Sequence, residues 1–203
     1  GVSSAASDVY KRQGYSNLIG NYNVYAGFHA GYYATGDLNV AVGDGSFSAV
    51  SCTGSSNTVV GQAAMGSNSS GSNNTAIGYQ ALSSNTTASN NTAVGYQAGY
   101  SNTTGTSVTA FGKAALYSNT TGADNVAVGL DALYTNSTGN GNTAVGVAAN
   151  KLNTTGNYNC SFGEFASLYN STGANNTAIG YSALYNNTTA SNNTAVGYQA
   201  GYS

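Results

Sequence analysis

From Gly61 to Gly197 a glycine closes an A-V-G-like motif at every seventeenth residue: Gly61, Gly78, Gly95, Gly112, Gly129, Gly146, Gly163, Gly180 and Gly197. Upstream, Gly43 precedes Gly61 by 18 residues and Gly27 precedes Gly43 by 16, so the two earliest units differ by one residue in loop length. A strict period of this kind is the signature of a solenoid, whose units bury their apolar faces only against one another. Seventeen residues are too few for two packed helices. The unit N-T-A-V-G-Y-Q-A-L-Y-x-N-T-T-G-x-x is rich in Asn, Thr, Gly and β-branched residues, which favour turns and strands over helix. The sequence therefore predicts an all-β chain: a β-solenoid, or parallel β-roll, of about eleven short coils with a 17-residue repeat. Each coil is expected to hold a T-A-V strand, a glycine turn, a second short strand Y-Q-A-L-Y and an N-T-T-G turn. At about 4.8 Å per coil such a stack is a rod roughly 50 Å long.

The array spans residues 23–203. "SNTTASNNTAVGYQAGYS" at 84–101 recurs at 186–203 with one difference, Ser84 against Asn186, as expected for a fragment of a longer array. Residues 1–22 are irregular. "GVSSAASDVYKRQ" contains Lys11 and Arg12, half of the four Lys and Arg in the chain. It resembles translated sequencing-adapter DNA, or else serves as a cap, and it lacks the basic and apolar regions of a signal peptide.

Composition narrows the function classes. Charged residues are 5% of the chain, against roughly 25% in typical soluble domains. A net charge of −2 supplies no basic field for nucleic acid. No apolar stretch approaches the roughly 18–20 residues of a membrane-spanning helix.

In a stack, equivalent positions of successive coils form columns. The residue before each glycine is Val60, Ile77, Val94, Phe111, Val128, Val145, Phe162, Ile179 and Val196, always apolar and expected to line the interior as the core ladder. Strand side chains alternate in direction, so Ala76, Ala93, Ala110, Ala127, Ala144, Ala178 and Ala195 are then expected to face outward. Strands apolar on both faces are normally covered on both, which implies a partner chain. Three residues after the glycine an alanine recurs from Ala64 to Ala200, as a narrow space requires. Seven after it come Asn68, Asn85, Asn102, Asn119, Asn136, Asn153, Asn170 and Asn187, an expected structural ladder of hydrogen-bonded amides. A second Asn column opens the strand at Asn57, Asn74, Asn91, Asn125, Asn142, Asn159, Asn176 and Asn193. The chain has no Pro, consistent with a ladder in which every missing N–H deletes a bond.

"NTAVG", "NVAVG" and "NTAIG" resemble the S-V-A-I-G motif of the head domains of trimeric autotransporter adhesins, and the whole unit resembles repeats of tail-fibre-like proteins. The resemblance covers residues 23–203. It implies a left-handed parallel β-roll, three chains side by side and an extracellular or virion-fibre location. Thr replaces the first Val of that motif in most coils, and the unit is longer than the usual head repeat.

Sites of chemistry are sparse. Cys52 and Cys160 lie about six coils, roughly 30 Å, apart, beyond disulfide reach. Cys160 is expected to be a buried, inert residue in a Thr slot, and Cys52 to be exposed in the 18-residue loop. Asp124 and Asp131 fall in different columns and so form no carboxylate pair, and the G-G-x-G-x-D pattern of calcium-binding solenoids is absent. His29 has no second His or Cys at ligand spacing. The glycines close coils rather than open helices, so no phosphate loop is expected. No catalytic residue, metal ligand or cofactor is assigned. The sequons at Asn85, Asn102, Asn119 and Asn153 are first of all turn residues. The Thr pairs are adjacent and lie in a turn, unlike the T-x-T strands of ice-binding solenoids. Tyr100, Tyr117, Tyr134, Tyr185 and Tyr202 share one column, and Tyr79, Tyr96, Tyr181 and Tyr198 another. Both are expected contact ladders, for another chain or for surface glycans. The expected role is thus a non-enzymatic, self-associating structural segment of an extracellular fibre. Its partner is itself, as a homotrimer or an end-to-end filament, and a glycan-binding solenoid is the alternative.

Overall fold

The computed structural model of the chain describes residues 13–15 and 19–202, so most of the adapter-like segment, with Lys11 and Arg12, lies outside the described residues. Eleven three-residue strands, β1 (Val24–Ala26), β2 (Val40–Val42), β3 (Thr58–Val60), β4 (Thr75–Ile77), β5 (Thr92–Val94), β6 (Thr109–Phe111), β7 (Val126–Val128), β8 (Thr143–Val145), β9 (Cys160–Phe162), β10 (Thr177–Ile179) and β11 (Thr194–Val196), form one sheet. Their order in the sheet is their order in the chain. Every pairing is parallel, and from β3 onward each residue meets its counterpart 17 positions on, as in Thr75 with Thr92 and Ile77 with Val94. Parallel neighbours need a crossover of a dozen or more residues. Residues 78–91, between β4 and β5, supply one and bring the chain back a single strand over. The fold is a β-solenoid, and no helix forms among the described residues.

The expected second strand Y-Q-A-L-Y is instead a run of tight turns. Gln80 and Leu82 both have left-handed backbones, with φ of 54° and 49°. Ala81 N–H donates to the Gly78 carbonyl at 3.3 Å, Ser83 N–H to Gln80 at 3.3 Å and Asn85 N–H to Leu82 at 3.0 Å. The alternate N–H groups reach neighbouring coils: Gln80 to the Gln62 carbonyl at 3.0 Å, and Leu82 to Ala98 at 3.0 Å. Left-handed Leu and Gln are uncommon and cost free energy. They persist because each sits between two hydrogen-bonded coils that over-determine it. The column glycine has a different reason. Gly112 has φ of 136°, and a Cβ there would lie 2.5 Å from the Gly129 carbonyl oxygen of the next coil.

The inside–outside assignment of the strand is the reverse of the sequence expectation. The middle residue is buried and the flanking two face outward. Ala41, Val59, Ala76, Ala93, Ala110, Ala127, Ala144 and Ala178 are fully buried. The supposed core ladder Val60, Ile77, Val94, Phe111, Val128, Val145, Phe162, Ile179 and Val196 lies on the outer face, half-buried or exposed. The width of the coil explains this. A Cβ added at Gly99 would lie 2.9 Å from Leu82 Cδ2 and 3.7 Å from Ala93 Cβ, so Leu82 and Ala93 leave no room for a further side chain between them in the lumen. One Leu-sized layer fills most of it, and the residue opposite is alanine or serine in most coils, with Val59 the one branched side chain inside from β2 to β11. The β-branched residues suit the pleated outer face.

The core column four residues after the glycine runs Met65, Leu82, Gly99, Leu116, Leu133, Asn150, Ser167, Leu184 and Gly201, so that two polar residues, Asn150 and Ser167, interrupt it. Both are buried, as is Ser161 in the alanine column. The side-chain polar atoms of these three residues have no hydrogen-bond partner. They separate a large apolar cluster ending at Ala149 from a small one beginning at Ala166. Unsatisfied buried groups cost about 1–3 kcal/mol each. The double substitution Asn150→Leu/Ser167→Leu restores the column pattern and is expected to stabilise the rod by about 2–4 kcal/mol. A raised urea midpoint checks this, and an unchanged or lowered one contradicts it.

Candidate functional site: stacked ladders and an outer face

The two asparagine columns form one cross-linked spine. In the first, each side-chain amide donates to the Oδ1 of the Asn one coil back: Asn85 to Asn68 at 2.8 Å, Asn119 to Asn102 at 2.7 Å, Asn136 to Asn119 at 2.9 Å and Asn153 to Asn136 at 2.8 Å. Asn102 to Asn85 and Asn170 to Asn153 are longer, both 3.3 Å, and Asn187 closes the series on Asn170 at 2.9 Å. In the second column the Oδ1 accepts twice: Asn142 Oδ1 takes the backbone N–H of Asn159 at 2.9 Å and its Nδ2 at 3.1 Å. Both columns also donate to a shared carbonyl. Gly139 accepts from Asn125 at 2.7 Å and from Asn136 at 3.0 Å, and Gly173 accepts from Asn159 at 2.8 Å and from Asn170 at 3.0 Å. Where Val108 takes an Asn position, its N–H still reaches Asn91 Oδ1 at 2.9 Å, but Asn91 Nδ2 has no partner.

This burial decides two other readings. The sequon residues Asn85, Asn102, Asn119 and Asn153 are fully buried with engaged amides, so these four offer no acceptor for a glycan, whereas Asn73, Asn90, Asn175 and Asn192, which also open N-x-T triplets, are exposed. The turn hydroxyls are engaged too. Thr86, Thr103, Thr120 and Ser137 each donate to the carbonyl of the equivalent residue one coil on, at 2.9–3.0 Å.

The cysteines exchange their expected environments. Cys52 is fully buried at the end of the first Asn column, where its Sγ accepts from Asn68 Nδ2 at 3.8 Å. Burial pushes its thiol up to about 11, against the smaller opposing effect of the Asn68 hydrogen bond. Cys160 starts β9 on the outer face and is half-buried. A three-residue strand buries only its middle side chain, so the Thr slot is an outer slot.

The tyrosine columns form short stacks of two or three rings, interrupted by Lys151 and Leu168 in the first column and by residues 113, 130, 147 and 164 in the second. Ring centroids are 5.1 Å apart for Tyr100 and Tyr117, 5.0 Å for Tyr117 and Tyr134, and 5.0 Å for Tyr185 and Tyr202, all within 12° of parallel. Tyr79 stacks on Tyr96 at 5.3 Å and Tyr181 on Tyr198 at 5.5 Å. Lys151 continues the first stack, its Nζ 5.6 Å from the Tyr134 ring centre and 2.9 Å from Asp131. Both faces of Tyr117 are taken by neighbouring rings, which leaves the ring edges and hydroxyls for outside contacts. Burial and the neighbouring phenols of Tyr134 and Tyr100 raise the Tyr117 hydroxyl above its usual range.

Tyr96, Gln97, Lys113, Ala114, Tyr117, Asp131, Tyr134 and Lys151 line an open groove of about 390 Å³. His29 sits in an aromatic group, 3.8 Å from Phe28 and edge-on to Tyr32 at 5.0 Å, beside a cleft of about 270 Å³. No cluster of three His, Cys, Asp or Glu with metal-binding geometry occurs among the described residues. No described helix is long and apolar enough to cross a membrane.

The exposed apolar groups concentrate in two columns flanking the glycines. Before the glycine stand Ile77, Phe111, Phe162, Ile179 and Val196, with Phe111 53% exposed. After it stand Tyr79, Tyr96, Leu130, Val147, Tyr181 and Tyr198. The sequence anticipated an uncovered face but placed alanine on it; the structure places the larger residues there.

Two outcomes follow. Asn119→Ala orphans Asn102 Oδ1 and the Gly122 carbonyl and leaves Asn136 Nδ2 with Gly139 alone, and is expected to cost about 3 kcal/mol in urea unfolding. A loss below about 1 kcal/mol contradicts the spine. A small thiol reagent is expected to label the half-buried Cys160 in the folded chain. Cys52 is expected to react only on unfolding. Its raised value favours the folded state below about pH 8.5, and that contribution is lost as pH rises towards about 11. Compared with known proteins, the chain matches no protein-family description, no curated protein and no solved structure.

Proposed function

We propose that the chain is a structural repeat segment of an extracellular fibre, of the adhesin-head or tail-fibre kind, whose work is mechanical and which associates with further copies of itself. The observation that carries this reading is the buried Asn spine. Two columns of amides meeting on shared carbonyls tie each coil to the next with directional bonds along the rod axis. Bending or slipping the stack therefore breaks many bonds together, and a stiff rod results. The repeated "NTAVG"-like motif supports the family likeness, and the uncovered Val, Ile and Phe column supports self-association, since parallel sheets are normally covered on both faces.

Sedimentation over a concentration range of about a hundredfold, with electron microscopy of the same samples, tests both parts. The expected result is concentration-dependent assembly of straight rods. Monomers throughout, or rounded and flexible particles, overturn the proposal.

A further inference from the structure

The two columns that flank the glycines have a symmetry that no single coil requires. From β4 to β11 the column before the glycine reads Ile77, Val94, Phe111, Val128, Val145, Phe162, Ile179, Val196. The column after it reads Tyr79, Tyr96, Lys113, Leu130, Val147, Glu164, Tyr181, Tyr198. Both are palindromic in character about the same level, between β7 and β8. Reversed on themselves, Phe111 meets Phe162, Val128 meets Val145, Leu130 meets Val147 and Tyr96 meets Tyr181. Where the order is not like-with-like it is complementary, because Lys113 meets Glu164.

We propose that this face is a self-complementary interface, on which a second copy of the chain docks antiparallel about a two-fold axis that runs along the strands between β7 and β8. A two-fold in that direction reverses the rod axis and turns the second face onto the first. It leaves the order of columns across the face unchanged, so each column lies over its own counterpart. The interface is isologous and every contact occurs twice: Lys113 with the partner's Glu164, and Glu164 with the partner's Lys113.

Three observations favour a second copy in this orientation. First, the face is uncovered within the chain: Phe111 is 53% exposed, Phe162 40%, Leu130 43% and Val147 40%. Second, the charges are available. Lys113 and Lys151 are the only Lys or Arg among the described residues. Lys151 is held by Asp131 at 2.9 Å, the one ion pair among the described residues, which leaves Lys113 and Glu164 without an ion-pair partner among the described residues. A parallel arrangement about the rod axis would set Lys113 level with the partner's Lys113, whereas the antiparallel one sets opposite charges level. Third, the area suffices. The eight coils β4–β11 at about 4.8 Å, with a face about five residues wide at about 3.3 Å each, give roughly 600 Å² per copy and roughly 1,200 Å² in all, where stable interfaces begin.

The inference rests on the self-association proposed above and adds the orientation, register and charge pairing of the contact. The test is a charge swap in the full chain. Both residues are exposed, so the variants are expected to keep the wild-type circular dichroism. Sedimentation equilibrium is expected to show a dimer that Lys113→Glu or Glu164→Lys alone weakens at least about tenfold, by setting like charges opposite each other twice. The double variant is expected to return within about threefold of wild type. A zero-length carbodiimide cross-linker is expected to join Lys113 to Glu164 in a covalent dimer. Within one chain the two lie three coils, roughly 14 Å, apart in one column, too far for such a link. Single variants that dimerise like wild type, or a double variant as weak as the singles, overturn the pairing. A trimer or longer fibre indifferent to the swap overturns the pairing and leaves the fibre reading standing, whereas a monomer at every concentration overturns both.

Discussion

A buried amide must be paired, and in this protein the partners are the amide one coil away and a nearby turn carbonyl. The spine from Asn68 to Asn187, joined to the second Asn column at carbonyls such as Gly139 and Gly173, ties the register of every coil to that of its neighbours. An amide left unpaired there costs about 1–3 kcal/mol, so slipping one coil by one residue disturbs the ladder along the stack. The invariance of the period is the sequence record of that penalty. The two early coils of irregular length show how the constraint is relaxed: Asn39 and Asn57 still bond, N–H to Oδ1 at 2.9 Å across 18 residues, while the added residue is absorbed in the turn.

The second constraint is the narrow lumen. With leucine entering from the turn side, alanine is what fits opposite it, and the large apolar residues of the strand are displaced outward. A single chain is thus apolar on a face that water must cover. In ordinary parallel sheets helices cover that face. Here none is present among the described residues, and the stripe of Val, Ile and Phe becomes the chemically distinctive surface of the rod. The low charge of the chain, 5% of residues, makes the pair Lys113 and Glu164 more telling than the same pair would be on an ordinary surface.

Much of the architecture was legible in advance because it is one-dimensional. The glycine period gave the coil count and the parallel stack, and columns could be written down without knowing the shape of one coil. The hydrogen-bonded asparagines and the small alanine column follow from column chemistry alone. Three features were not legible. In a T-A-V strand Thr and Val share one face and Ala takes the other, so the polar Thr and the large apolar residue beside it give opposite signals of which face is inside. The turns at Gln80 and Leu82 use left-handed backbones that these residue types do not advertise. Cys52 ends an Asn column in an 18-residue coil, and its burial depends on which residue that coil loops out.

Repetition at the level of sequence therefore determined the class of fold, the spacing of its coils and the identity of its polar spine, because hydrogen bonds between equivalent positions repeat whenever the residues do. The tertiary structure alone decided which face of the strand is inside, since that depends on the width of the lumen and on how far Leu82 reaches across it towards Ala93. It also turned the two flanking columns to the surface, where the order of their side chains along the rod gains physical meaning.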